Sequence, residues 1–171
     1  MAVAKTLKGN LTTPELELAI ADNFDLRKNV IVANLTNAHG KFEGLHEIDV
    51  GLLRPTDYFV EFELKLTKSD LMKDFHKEHS HKHELVREIY YVMPMNVIST
   101  AMRVVPEHCG IIGVRRNEKL EPAIETIRET TVNPDARKWT IEERLQLLRL
   151  GNMRVWKAKR DLVKLRRELG R

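Results

Sequence analysis

At 171 residues, with 42% apolar and 32% charged positions, the chain has the size and composition of one folded domain, which excludes disordered and fibrous classes. No apolar run reaches the length of a membrane span, and Met1 to Asn10 lacks the apolar centre of a signal peptide, so a cytoplasmic protein with no membrane partner is expected. The formal charge of +4 is uneven: Arg137 to Arg171 holds twelve Lys or Arg against four Asp or Glu, a net +8, leaving Met1 to Ala136 at −4. An acidic body with a basic end suits a polyanion held by the end while carboxylates elsewhere hold a metal, although a basic helical face is also compatible with simple solvation.

In chain order, Thr13 reads as a helix N-cap with Pro14 at the first helical position, and Leu16, Ala19 and Ile20 give an apolar face as far as Phe24. Val30 to Leu35 is β-branched and apolar, a short strand, and the two glycines between Asn37 and Gly44 suit a turn. From His46 to Leu53 the pattern alternates, with Ile48, Val50 and Leu52 on one face and Glu47, Asp49 and Gly51 on the other. Arg54 to Asp57 breaks it as a turn does. Tyr58 to Leu66 then alternates again, placing Phe59, Glu61, Glu63 and Lys65 together opposite Tyr58, Val60, Phe62, Leu64 and Leu66. The expectation is a hairpin with one apolar side.

Ser69 is a candidate cap for a second helix with Leu71, Met72 and Phe75 facing inward, and a further helical turn is expected over Glu84 to Glu88. Ile89 to Met93 and Gly110 to Val114 read as internal strands joined through a short helix over Val97 to Val104. Asn117 to Asn133 gives no clear pattern. From Ile141 onward Leu145, Leu148, Met153, Trp156, Leu162 and Leu165 recur at roughly helical intervals around Gly151, which predicts two helices. The fold class expected is α/β, a mixed sheet flanked by helices, with a core over 1–116 and a connecting, basic helical extension over 117–171.

If the hairpin pairs so that residue numbers sum to 112, Asp49 faces Glu63 with Cβ atoms about 5 Å apart. Two carboxylates that close repel unless a cation lies between them. Magnesium accepts one or two carboxylates, keeps several waters and binds phosphate, and the backbone carbonyl of Leu64 offers a further oxygen. Lys65, on the same face, can hold a metal-activated water or neutralise charge on a scissile phosphate. The plain alternative is an ordinary solvated sheet face, since Glu-x-Lys with an upstream Asp is common.

The stretch His46-Glu-Ile-Asp-Val-Gly-Leu-Leu, followed by Glu61-Phe-Glu-Leu-Lys-Leu-Thr-Lys-Ser-Asp-Leu-Met-Lys-Asp, resembles MmcB-like DNA repair proteins and related phage-encoded members of the PD-(D/E)XK nuclease superfamily. The likeness continues through Lys77, His79 and His81, then Tyr90, Tyr91 and Pro94, and weakly into Leu148-Arg-Leu-Gly and Arg154-Val-Trp. It implies an αβββαβ core and a magnesium-dependent deoxyribonuclease acting as an endonuclease, with manganese able to substitute. Asp49, Glu63 and Lys65 correspond to the motif aspartate, acid and lysine, and a first-helix glutamate, Glu15 in preference to Glu17, to a further metal ligand. The motif proline is absent, Ile48 standing before Asp49. Lys68, Lys73, Lys77, His79, His81, Arg154 and Lys157 are candidate DNA contacts.

Rival readings are a non-catalytic DNA-binding module, in which the basic end follows phosphates and Trp156 stacks on a base or belongs to the core, and a basic helix lying on acidic lipid. His76, His79, His81 and His83 invite a zinc reading, but lack a second ligand group at recognised spacing. Cys109, the single cysteine, sits among Pro106, His108 and Gly110 with no activating arrangement, which argues against a disulfide framework or a thiol nucleophile.

Overall fold

A computed structural model describes residues 10–35, 45–74 and 83–170. Its elements run α1 (Thr13–Asn23), β1 (Val30–Leu35), β2 (Ile48–Leu53), β3 (Phe59–Leu64), α2 (Lys68–Asp74), β4 (Glu88–Pro94), a 3-10 turn (Met95–Val97) leading into α3 (Ile98–Val104), β5 (Gly110–Arg116), β6 (Pro122–Arg128) and α4 (Ile141–Glu168). Among the described residues six strands form one sheet in chain order. The first three are antiparallel neighbours, β3, β4 and β5 are parallel, and β6 returns antiparallel on β5. The parallel steps need crossovers, which α2 and α3 supply. This is the expected mixed α/β architecture, with the αβββαβ order at its start.

Both faces of the sheet are covered. Leu16, Ala19 and Ile20 of α1 pack on Val50, Leu52, Val60, Phe62, Tyr90, Val92, Ile112 and Val114. On the other face Phe59, Tyr91, Met93 and Ile111 meet Leu71 of α2, Ala101 of α3, Trp139, and Leu147 of α4. All six residues of β3 are buried, so the hairpin does not have the single apolar side its alternation implied. The helix directly after β3, together with α3, Trp139 and α4 from further along the chain, closes over the charged side. Ile48 departs from the alternation too and joins the α2 side, across from Leu35 and next to Asn34, which takes φ 54°.

Local chemistry explains several shifts of boundary. Thr12 rather than Thr13 is the cap of α1, with Glu15 accepting from both the Thr12 N–H and its hydroxyl at 2.9 Å. Thr67 rather than Ser69 starts α2, its hydroxyl accepting from the Asp70 N–H at 3.1 Å while the Asp70 carboxylate takes the Leu66 N–H. Glu84 and Leu85 lie in a turn, not a helix, and Glu88 already belongs to β4.

The two expected C-terminal helices are one, of 28 residues and about 42 Å. Gly151 does not interrupt it: a Cβ there would come within 3.1 Å of Val32 Cγ2, so the glycine lets the helix cross close to β1. Beyond that crossing the helix is exposed, Trp156 included, and Lys159 lies over the Trp156 ring at 4.9 Å. The boundary expected at residue 116 falls between two paired strands of one sheet. Trp139, further along, stacks on Phe59 with ring centroids 4.4 Å apart. No helix among the described residues is long and apolar enough to cross a membrane.

Candidate metal centre

The site forms where the β2–β3 ladder ends. Pairing runs from Leu53↔Phe59 to Val50↔Phe62, each pair summing to 112, and stops one step short of Asp49 and Glu63. The expected register is the observed one. Phe62 faces α1, so alternation turns Glu63 to the α2 side, where it also neighbours Tyr91 across the parallel ladder, while Asp49 lies where β2 breaks the alternation, within electrostatic reach of both Glu63 and Glu17. Past the last rung the Leu64 N–H is taken by Asp49 Oδ2 at 2.8 Å. Gly51 stands across from Glu61, and any Cβ there would overlap the Phe59 ring, so this strand stays narrow beside the acids.

Glu61, Glu63 and Lys65 are all buried, with Glu61 wholly enclosed. Lys65 Nζ lies 3.2 Å from Glu63 Oε2. His46, on the segment leading into β2, places Nε2 2.8 Å from Glu61 Oε1 and 4.0 Å from Glu63 Oε1. Burial, and then the neighbouring charge of Glu61, push the Glu63 carboxyl up to about 7; Lys65 pulls it down, and Asp49 adds to the rise. Burial is the larger part of this rise and the neighbouring carboxylates the smaller, and a divalent ion would relieve the second part.

Of the three expected site residues, Glu63 and Lys65 are in contact, and Asp49 reaches the same stretch of β3 through the Leu64 N–H and lies within electrostatic reach of Glu63. Glu15 is elsewhere, held by Thr12 and by an ion pair with Arg116 that keeps its carboxyl below the usual range. Glu17 is the α1 acid within electrostatic reach of Asp49: burial chiefly raises its carboxyl, the Asn34 amide at 3.4 Å lowers it, and Asp49 raises it further. One turn of helix cannot aim both glutamates at one point, and the capping role fixes Glu15.

Of the candidate DNA contacts, Lys68 and Lys73 are exposed on α2, which begins just past Lys65. Lys157 is exposed on α4 and pairs with Asp161 at 2.7 Å. Arg154 instead ties α4 to the sheet, donating to the Asn34 carbonyl at 2.7 Å. Lys77, His79 and His81, like Phe75, His76 and the turn expected over 37–44, lie outside the described residues. Cys109 is buried, its thiol pushed up to about 12 by burial and then by Glu61, so it stays protonated and unreactive at neutral pH.

Two members of the cluster, His46 and Glu61, were not among the residues expected from sequence. Glu61 shares the parity of Glu63 and was legible as a neighbour. His46 stood at the start of the alternating stretch with the parity of Ile48, but the strand begins only at Ile48 and His46 lies on the segment before it.

No protein-family model matches the chain, and no curated protein matches it. Among solved structures it is similar to the SPO1766 protein of unknown function from Silicibacter pomeroyi, with 19% identity, a TM-score of 0.58, and coverage of 95% of this chain and 97% of that one. The likeness establishes a shared fold over nearly the full length of both.

Proposed function

We propose that this protein is a magnesium-dependent nuclease that hydrolyses DNA phosphodiester bonds, acting as an endonuclease in DNA repair, recombination or phage DNA processing. The observation that carries the reading is the convergence, just past the end of the β2–β3 ladder, of Asp49 on the Leu64 N–H at 2.8 Å and of the Lys65 ammonium on Glu63 at 3.2 Å, with Asp49 within electrostatic reach of Glu63. The αβββαβ order and the resemblance of the surrounding motif to PD-(D/E)XK nucleases support it.

The donor set fits a hard divalent cation. In an extended strand the N–H and C=O of one residue point to the same edge, so the Leu64 carbonyl shares the edge on which its N–H reaches Asp49. Asp49, Glu63 and that carbonyl thus offer oxygen ligands, which magnesium or manganese accepts. Such an ion, when bound, supplies a water of lowered pKa and positive charge for the scissile phosphate. Lys65 keeps its ammonium beside Glu63, where it orients the attacking water and offsets charge developing on the phosphate. Asp49 also fixes the Leu64 backbone, so the ligand edge is ordered before substrate arrives. Exposed Lys68 and Lys73 on α2, with the cations of α4, suit contact with the phosphate backbone.

Incubation of the protein with single-stranded, duplex, branched and damaged DNA, in magnesium, manganese or chelator, tests the assignment. Cleavage that needs the metal and disappears in Asp49→Ala and Glu63→Ala, with DNA binding retained, is expected. Salt-dependent binding without cleavage in any metal would point to a non-catalytic DNA-binding module.

A further inference from the structure

Glu61 has one carboxylate oxygen that the nuclease reading leaves unexplained. Oε1 meets His46 Nε2 at 2.8 Å, but Oε2 is enclosed and has no hydrogen-bond partner among the described residues. A fully buried carboxylate oxygen normally finds a donor, because burial strips the water that would otherwise solvate it. The neighbouring groups point to what belongs there. A ligand atom from each of His46, Glu61 and Glu63 lies within 4.8 Å of the other two, and Asp49 is outside this group. Glu63 is divided between two partners, with Oε1 toward His46 and Oε2 toward Lys65.

We propose that His46 Nε2, Glu61 and Glu63 Oε1 form a second ion position, bridged through Glu63 to the Asp49 side, which selects a first-row transition divalent cation over magnesium. It rests on the nuclease reading only for its part in catalysis. One imidazole and two carboxylates are a mixed nitrogen and oxygen set, and imidazole favours the transition series where magnesium keeps to oxygen. The geometry needs little adjustment. Metal–ligand bonds of about 2.1 Å set neighbouring donors roughly 3 Å apart, close to the 2.8 Å already separating His46 Nε2 from Glu61 Oε1. The hydrogen between those two atoms occupies the place of the cation. Closing the 4.0 Å from Glu63 Oε1 to the imidazole takes a side-chain rotation rather than a change of backbone.

The probe is Co2+, titrated by calorimetry and by its visible absorption into chelator-treated full-length protein in a background with His76, His79 and His81 changed to Gln. His46→Gln and Glu61→Gln are expected each to weaken Co2+ binding by about tenfold or more while leaving Mg2+ binding unchanged. Electron spin echo spectra of Mn2+ bound to the background protein are expected to carry a nitrogen coupling, a readout that needs no substitution at the buried glutamate. Co2+ affinity indifferent to both substitutions, or Mn2+ spectra without nitrogen coupling, would overturn the site. Co2+ held through His46 with no DNA cleavage in any metal would uphold the site and remove the nuclease; cleavage in Mg2+ with Co2+ affinity indifferent to His46 and Glu61 would do the reverse.

Discussion

Asp49 Oδ2 accepts the Leu64 N–H at 2.8 Å, so the acid proposed as a metal ligand also closes the end of the β2–β3 ladder. Asn at this position keeps an acceptor and loses the charge. Asp49→Asn is therefore expected to unfold within about 1 kcal/mol of wild type in urea, whereas Asp49→Ala, which orphans the amide, costs about 1–3 kcal/mol. Both should lose Mg2+-dependent cleavage. Equal stability losses in the two variants would show that the hydrogen bond has no structural role.

The stack of Trp139 on Phe59 binds the segment after residue 116 to the floor of the site, and the Trp139 Nε1–H also donates to the Leu85 carbonyl at 2.8 Å. Trp139→Ala should cost about 3–5 kcal/mol, and Trp139→Phe noticeably less. Truncation after residue 116 removes β6 and Trp139 together and should prevent stable folding, read by circular dichroism. A cooperatively folded 1–116 fragment would contradict this packing.

Much of the centre was legible because alternation and register are local properties. Phe59, Glu61, Glu63 and Lys65 had to share a face, and a five-residue turn fixed the register of β2 on β3. What covers that face was only partly legible: Leu71 follows in the next helix and was expected to face inward, whereas Trp139 and Leu147 come from far along the chain. Gly151 misled for a related reason: its helix-weakening effect is visible in sequence, whereas the Val32 methyl that requires it is not. Glu15 was preferred to Glu17 as the α1 ligand, and the Thr12 and Arg116 partners that hold Glu15 elsewhere were not visible in the sequence. β6 escaped notice because its exposed, mixed residues pair on one edge only.

Stability should carry the signature of Glu63. Its carboxyl is raised from 4.5 to about 7, so between those values the folded state holds a proton that the unfolded chain has released. Stability of the chelator-treated protein is then expected to fall as pH rises through that window and level off above it, by about 3 kcal/mol in total. Glu63→Gln should lack this component, and a divalent cation at pH 8 should restore stability to wild type but not to the variant. Urea midpoints at pH 5 and pH 8 that shift in parallel for the two proteins would sink the assignment.

Arg154 and Lys157 are neighbours on α4 with different tasks. Arg154→Ala should destabilise the fold by about 1–2 kcal/mol, because its guanidinium holds the Asn34 carbonyl. Lys157→Ala should leave stability within about 0.5 kcal/mol, its pair with Asp161 being exposed. If α4 follows DNA phosphates, the Lys157 variant also lowers the salt dependence of DNA binding by about one unit of slope. An unchanged slope would take Lys157 off the DNA path.

Single-turnover cleavage of labelled DNA, with protein saturating and Mg2+ present, compares wild type with Lys65→Ala and Asp49→Asn most directly. Cleavage by the wild type, lost on chelation and slowed by about a hundredfold or more in both variants at undiminished DNA occupancy, is the expected result. Cleavage that persists in both variants, or a folded wild type that binds DNA and Mg2+ yet cuts nothing, would contradict the nuclease.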